Sequence, residues 1–254
     1  MSLNHQHRAG QKTVVISGTS RGIGFHLAQR FLVEGYNVIG ISRSETAIQD
    51  SGFRQITADI GDLRQVAALR EPLSRVPIAG LISNAGIHGS IGSLEQVPID
   101  GWVRAFSVNL FGAAALTQLC IPSLRRERGF IIFLSGGGSG FPRPRFSAYG
   151  VSKTAVVRLS EVLAQELAPD VLVYCVAPGP NPTSLLEEAI REGTIVKEGE
   201  MVDFAEPERL CLFLARNRNP RYSGRFIHVK DDYERWADHA LPDDAYTLRR
   251  MKPA

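Results

Sequence analysis

The chain has 254 residues, 44% of them hydrophobic and 22% charged, with a formal net charge of +3, which suits one globular domain with a large core. Its dispersed basic residues lack the dense patch of a nucleic-acid surface, no stretch approaches the continuous apolar length that spans a bilayer, and the polar start MSLNHQHRAGQK carries no hydrophobic signal core. A cytoplasmic protein with no nucleic-acid or membrane partner is therefore expected.

Residues 1–11 read as a flexible N-terminal segment. TVVIS (13–17) reads as a buried strand, followed by a helix over 22–34 and a second strand, NVIGIS (37–42). FRQIT (53–57) is a third strand, with a helix over 62–75 behind it. AGLIS (79–83) is a fourth, and a long helix covers about 100–125. FIIFLS (130–135) is a fifth strand, followed by a helix over 148–168, and VLVYCVA (171–177) is a sixth. Helical patterns fill 184–192 and 206–216 before a last strand, RFIHV (225–229). Short apolar strands alternating with helices predict a doubly wound α/β fold of Rossmann type, with a mostly parallel seven-stranded sheet over residues 12–230. Residues 231–254 read as an extension that packs on this domain or on a neighbouring subunit. The scattered cysteines Cys120, Cys175 and Cys211 read as buried reduced thiols, and neither they nor the six histidines have metal-ligand spacing, so no metal is expected.

The first strand runs into Ser17-Gly18-Thr19-Ser20-Arg21-Gly22-Ile23-Gly24, and a helix follows. Glycines there let the backbone turn sharply and approach a pyrophosphate, which the unpaired N–H groups and positive end of the helix would hold. At the end of the second strand, Ile41-Ser42-Arg43-Ser44 contains no carboxylate to bind a ribose 2′-hydroxyl. Arg43, with Arg21, would instead suit a 2′-phosphate, favouring NADP(H) over NAD(H). Tyr149 and Lys153 stand four apart on one face of a predicted helix, where an ammonium beside a phenol favours the phenolate.

The turn resembles the TGxxxGxG segment of the short-chain dehydrogenase/reductase family, with Ser17 in the threonine place, and further motifs follow in family order over residues 13–229. The resemblance implies cofactor contacts from Gly18, Ser20, Arg21, Gly22, Ile23 and Gly24, from Asp59 and Ile60 at the adenine, and from the NAG motif Asn84-Ala85-Gly86. It also implies contacts from Pro178, Gly179 and Thr183 of a PGxxxT segment near the nicotinamide. The YxxxK pair implies that Tyr149 is the acid/base and that Lys153 lowers its pKa and grips the ribose. Asn109, within VNLFG, would support a proton relay.

The family serine usually lies thirteen residues before the tyrosine, and that count lands on Gly136 rather than on Ser135. One residue of shift on a strand reverses the side chain. Either a bulge in the glycine-rich loop still points Ser135 into the site, the favoured reading, or the serine is missing and Ser139 or a water takes its place.

Loop 136–147, with Phe141, Arg143, Arg145 and Phe146, and segment 184–206 should wall the substrate pocket. Arg143 or Arg145 would meet an anionic substrate or simply face solvent. His88, Trp236 and His239 would line a lid or merely pack. The family implies a homodimer or homotetramer formed through the two long helices. The expected activity is hydride transfer between NADPH and a small-molecule carbonyl or secondary alcohol. A cofactor-binding sensor with impaired catalysis, and an isomerase or dehydratase using the same cofactor transiently, are the alternatives.

Overall fold

The computed structural model describes residues 10–194, 196, 199–238 and 241–249. Residues 1–9 of the expected flexible segment lie outside the described residues, as does His239.

Seven runs rich in Val, Ile and Phe become strands: β1 (Thr13–Ser17), β2 (Asn37–Ser42), β3 (Phe53–Thr57), β4 (Ile78–Ser83), β5 (Phe130–Leu134), β6 (Leu172–Ala177) and β7 (Phe226–His228). They form one parallel sheet in the order β3-β2-β1-β4-β5-β6-β7. Every residue of β1, β2, β4, β5 and β6 is buried, which explains why these strands read as continuous apolar runs rather than alternating ones. One apolar cluster packs Leu27, Phe31 and Leu210 on one face of the sheet, and a second packs Leu116, Cys120 and Val156 on the other. The order reverses between β1 and β4, so a crevice opens beyond the carboxyl ends of those strands.

The helices are α1 (Gly22–Val33), α2 (Leu63–Ala68), α3 (Arg70–Ser74), α4 (Ile99–Phe106), α5 (Ala113–Arg126), α6 (Ser147–Glu166), α7 (Ser184–Arg191) and α8 (Ala205–Arg216). Two predicted helices differ from expectation. The helix expected over 62–75 breaks at Leu69, close to Pro72, which has no N–H to continue the ladder. The helix expected over 100–125 contains a π turn, Ser107–Gly112, between α4 and α5. At Gly112 a Cβ would stand 2.1 Å from the Ile60 carbonyl oxygen, so the wider turn coincides with a very close backbone approach. The whole run Ile99–Arg126 is, by length and composition alone, apolar enough to cross a membrane, contrary to the sequence expectation. In this fold α5 packs on β4, with Leu116, Cys120 and Leu124 fully buried.

The chain beyond β7 folds back on the sheet. Trp236 is buried and stacks between Tyr222 and Tyr246, with ring centroids 5.8 and 4.2 Å away. The Phe226 N–H donates to the Tyr246 carbonyl, Arg225 donates to the carbonyls of Pro242 and Ala245, and the Leu248 N–H donates to the Glu161 carboxylate. Replacing Trp236 removes the ring that joins tail to core. Trp236→Ala is expected to lower unfolding stability by about 3–5 kcal/mol in urea titrations.

Candidate active site

The crevice over the carboxyl ends of the strands has a volume of about 1370 Å³. Its floor is built from backbone held at close range. Gly18 and Gly22 take φ of +78° and +60°, a region costly for any residue with a Cβ. A Cβ on Gly24 would lie 2.2 Å from the Gly18 carbonyl oxygen. The Ser17 hydroxyl accepts hydrogen bonds from the N–H groups of Asn84 and Ala85, and Asn84 Nδ2 donates to the carbonyls of Ser17 and Gly18. The opening turn of α1 has neither a side-chain cap nor an acidic residue, so its N–H groups remain open to an anion. That is the donor set a dinucleotide pyrophosphate requires, and these residues fit the group.

Ser20, Arg21, Ile23, Arg43, Asp59, Ile60, Asn84, Ala85, Gly86, Pro178, Gly179 and Thr183 all line the same crevice. Arg21 and Arg43 are exposed, and among the described residues neither has an ion pair with a carboxylate. Asp59 is engaged by the Arg104 guanidinium at 2.5 Å, and its other oxygen accepts from the Gly61 N–H. Thr183 caps α7 by accepting from the Leu186 N–H.

At the far end of the crevice the Tyr149 hydroxyl makes no hydrogen bond within the described residues. Burial raises its pKa, and the Arg143 guanidinium opposes that shift. Lys153 is buried one helical turn away, with Nζ 6.0 Å from the Tyr149 ring centroid and donating to the Leu134 carbonyl at 2.7 Å. Burial holds its pKa down at about 8. The expected close ammonium–phenol pair is therefore looser than the spacing implied, and Arg143 is the cation that acts on the phenol. A Cβ on Gly86 would stand 3.2 Å from Lys153 Nζ, so the glycine of the NAG segment leaves the ammonium its space. Asn109 lies in the π turn with its side chain bonded to both backbone groups of Ile87 and to the Ser152 hydroxyl, which in turn donates to the Tyr149 carbonyl.

Ser135 lines the crevice, and its Oγ lies 2.5 Å from Ser139 Oγ and 3.1 Å from the Lys153 carbonyl, so both hydroxyls have partners of their own. A Cβ on Gly136 would lie 2.6 Å from the Tyr149 hydroxyl. β5 keeps a regular register with β6 up to its end at Leu134, and position 136 faces Tyr149 with no side chain at all.

Two residues carry more than the sequence indicated. His88 is buried edge-on against the Tyr149 ring at 4.9 Å, with Nδ1 3.0 Å from Glu188 of α7. Burial lowers its pKa while Glu188 opposes the shift. Asn181, buried on the crevice wall, donates to the Val202 carbonyl and leaves its own oxygen without a partner. The sequence offers His88 for a lid or for packing, and only proximity to Pro178-Gly179 signals Asn181. Trp236 packs in the tail and lines no part of the crevice.

Residues 12–193 match the family model described as short chain dehydrogenase. The chain is 32% identical over 206 residues to 11-beta-hydroxysteroid dehydrogenase A of Sesamum indicum, covering 75% of this chain and 57% of that protein's length. It is 32% identical over 199 residues to benzil reductase ((S)-benzoin forming) of Saccharomyces cerevisiae, covering 71% and 75%. Among solved structures it is similar to a 3-ketoacyl-(acyl-carrier-protein) reductase from Brucella melitensis complexed with NADH, with a TM-score of 0.75 and 25% identity over 86% of this chain and 96% of that one.

The buried ammonium has a measurable consequence. Between its folded pKa of about 8 and the ordinary lysine value of 10.5, the folded protein binds fewer protons than the unfolded chain, so Lys153 makes stability rise with pH across that window. Below the window its burial is a full cost. Lys153→Met is expected to be more stable than the parent at pH 7 by about 1–3 kcal/mol, with the gain shrinking as pH passes through the window. Urea titrations at a series of pH values would check this.

Proposed function

The chain belongs to the short-chain dehydrogenase family, and from that premise we propose that it is an NADP(H)-dependent oxidoreductase acting on a carbonyl or secondary alcohol of a small molecule. The observation that carries the reading is the Tyr149 hydroxyl, without a hydrogen-bond partner among the described residues, in the crevice that the glycine turn opens.

Bound NADPH supplies the hydride. Tyr149 gives its proton to the carbonyl oxygen during reduction and takes one back during oxidation. Lys153 binds the nicotinamide ribose, and the Arg143 guanidinium opposes the effect of burial on the phenol. Asn109, in the π turn, supports the relay that restores the proton to Tyr149. Ser135 is not carried into this mechanism, because its hydroxyl already serves Ser139 and the Lys153 carbonyl. Arg43 and Arg21, exposed at the adenosine end and without a competing carboxylate, support NADP(H) over NAD(H) through a 2′-phosphate.

The missing serine gives the sensor reading a specific basis, since Gly136 deprives the carbonyl of a second hydroxyl donor. NADPH binding with no turnover on any of a panel of ketones and keto-sugars would favour the sensor. The free, buried cysteines suit a reducing compartment, and a cytoplasmic location is part of the proposal. Val103, Phe111 and Val151 stand exposed on α4, the π turn and α6, as apolar side chains for a homodimer or homotetramer would.

Tyr149→Phe should cut NADPH-dependent reduction about a hundred- to ten-thousand-fold while leaving NADPH binding intact by fluorescence titration. Arg43→Ala should weaken NADPH binding about 10- to 100-fold in the same titration, with NADH nearly unaffected.

A further inference from the structure

The loop between β5 and α6 carries two arginines with opposite fates. Arg145 donates to the Glu192 carbonyl at 2.5 Å and to its carboxylate at 3.3 Å, half-exposed at the rim. Arg143 turns inward and lines the crevice. Its Cζ lies 3.9 Å over the Phe146 ring, and Nη2 donates to the neutral Thr194 hydroxyl at 2.8 Å. Among the described residues no carboxylate pairs with it. Burial lowers its pKa, and the other charge acting on it is Tyr149. Glu188, the carboxylate of this corner, is already held by His88.

A partly dehydrated guanidinium without a counter-ion is unfavourable unless a ligand brings the anion. Its guanidinium is stacked on Phe146 and anchored at one corner by Thr194, so it is pre-organised to meet a planar carboxylate. At Gly136 the Tyr149 hydroxyl itself takes the place of a side chain, since a Cβ there would lie 2.6 Å from it. The cofactor's phosphates belong at the other end of the crevice, on the opening turn of α1, and do not supply this anion.

We propose that Arg143 is a specificity residue that binds a carboxylate of the substrate, so that the enzyme acts on oxo acids, or the matching hydroxy acids, whose carboxylate lies a few bonds from the reacting carbon. The inference rests on the oxidoreductase reading above. The carboxylate itself is unchanged in the reaction; the carbonyl takes a hydride from NADPH and a proton from Tyr149.

The test uses straight-chain oxo acids in which the carbonyl steps away from the carboxylate, each paired with its methyl ester, with the parent protein, Arg143→Met and Arg143→Lys. For at least one acid the parent should show a kcat/KM about 10- to 100-fold above its ester. Arg143→Met should erase that preference, bringing the kcat/KM values for acid and ester to within about twofold of each other. Arg143→Lys should retain part of it. Calorimetry of the same acids into the NADP⁺-loaded proteins supplies a second readout, with binding to the parent and none to Arg143→Met. Esters reduced as well as acids by the parent, or a preference that survives in Arg143→Met, would overturn the inference while leaving the reductase standing. Acid binding that depends on Arg143 without any turnover would sustain the anion site and sink the reductase. Absence of both turnover and Arg143-dependent binding would overturn the anion site as well.

Discussion

The site depends on how closely two strand ends are drawn together. Two hydrogen bonds join Ser17 and Asn84 at the carboxyl ends of β1 and β4, the Ala85 N–H adds a third to the Ser17 hydroxyl, and the amide of Asn84 reaches the carbonyl of Gly18. Side chains are excluded from this junction. A Cβ on Gly18 would lie 2.8 Å from Asn84 Nδ2, and one on Gly24 would lie 2.4 Å from the same atom. Because the junction is closed, α1 begins directly above it with bare N–H groups, and the chain after β4 passes beneath Lys153 at Gly86. The phosphate end and the catalytic end of the crevice are thus set by one cluster of backbone contacts.

At the catalytic end the governing fact is dehydration. Tyr149, Lys153 and His88 are each shifted toward the uncharged form, chiefly by burial. Lys153 keeps a carbonyl of β5, His88 keeps a carboxylate of α7, and Arg143 keeps a hydroxyl and an aromatic face. Among the described residues the phenol has no polar partner. A group left so is the one with hydrogen-bonding capacity to spend on an incoming oxygen, which is a stronger argument for its role than its spacing from Lys153.

Much of this was legible in the sequence, and the exceptions have physical causes. Strands buried on both faces announce themselves as apolar runs, so all seven were found within a residue or two of their ends. The break at Leu69 was missed because a proline in the first turn of a helix is permitted, and only tertiary packing decides whether one helix or two results. The π turn was invisible because it inserts one residue into a pattern that still reads as helical. The count from Tyr149 reaches the residue that faces the phenol, Gly136, but spacing alone could not show that the Ser135 hydroxyl is engaged by Ser139 and the Lys153 carbonyl. Arg143 and Arg145 were indistinguishable by sequence, since what separates them is Glu192, a partner almost fifty positions away.

The tail contacts have a bearing on how copies of this chain can meet. A terminal strand of a parallel sheet normally presents unsatisfied donors and acceptors to whatever strand comes alongside. Here the outward N–H of Phe226 is consumed by the carbonyl of Tyr246, and Arg225 pins the returning segment at two further carbonyls. The sheet is sealed on that flank by its own chain, so neither a foreign β-segment nor a sister molecule can extend it there. Strand addition is discouraged at this edge, which leaves β3 as the sheet's other margin.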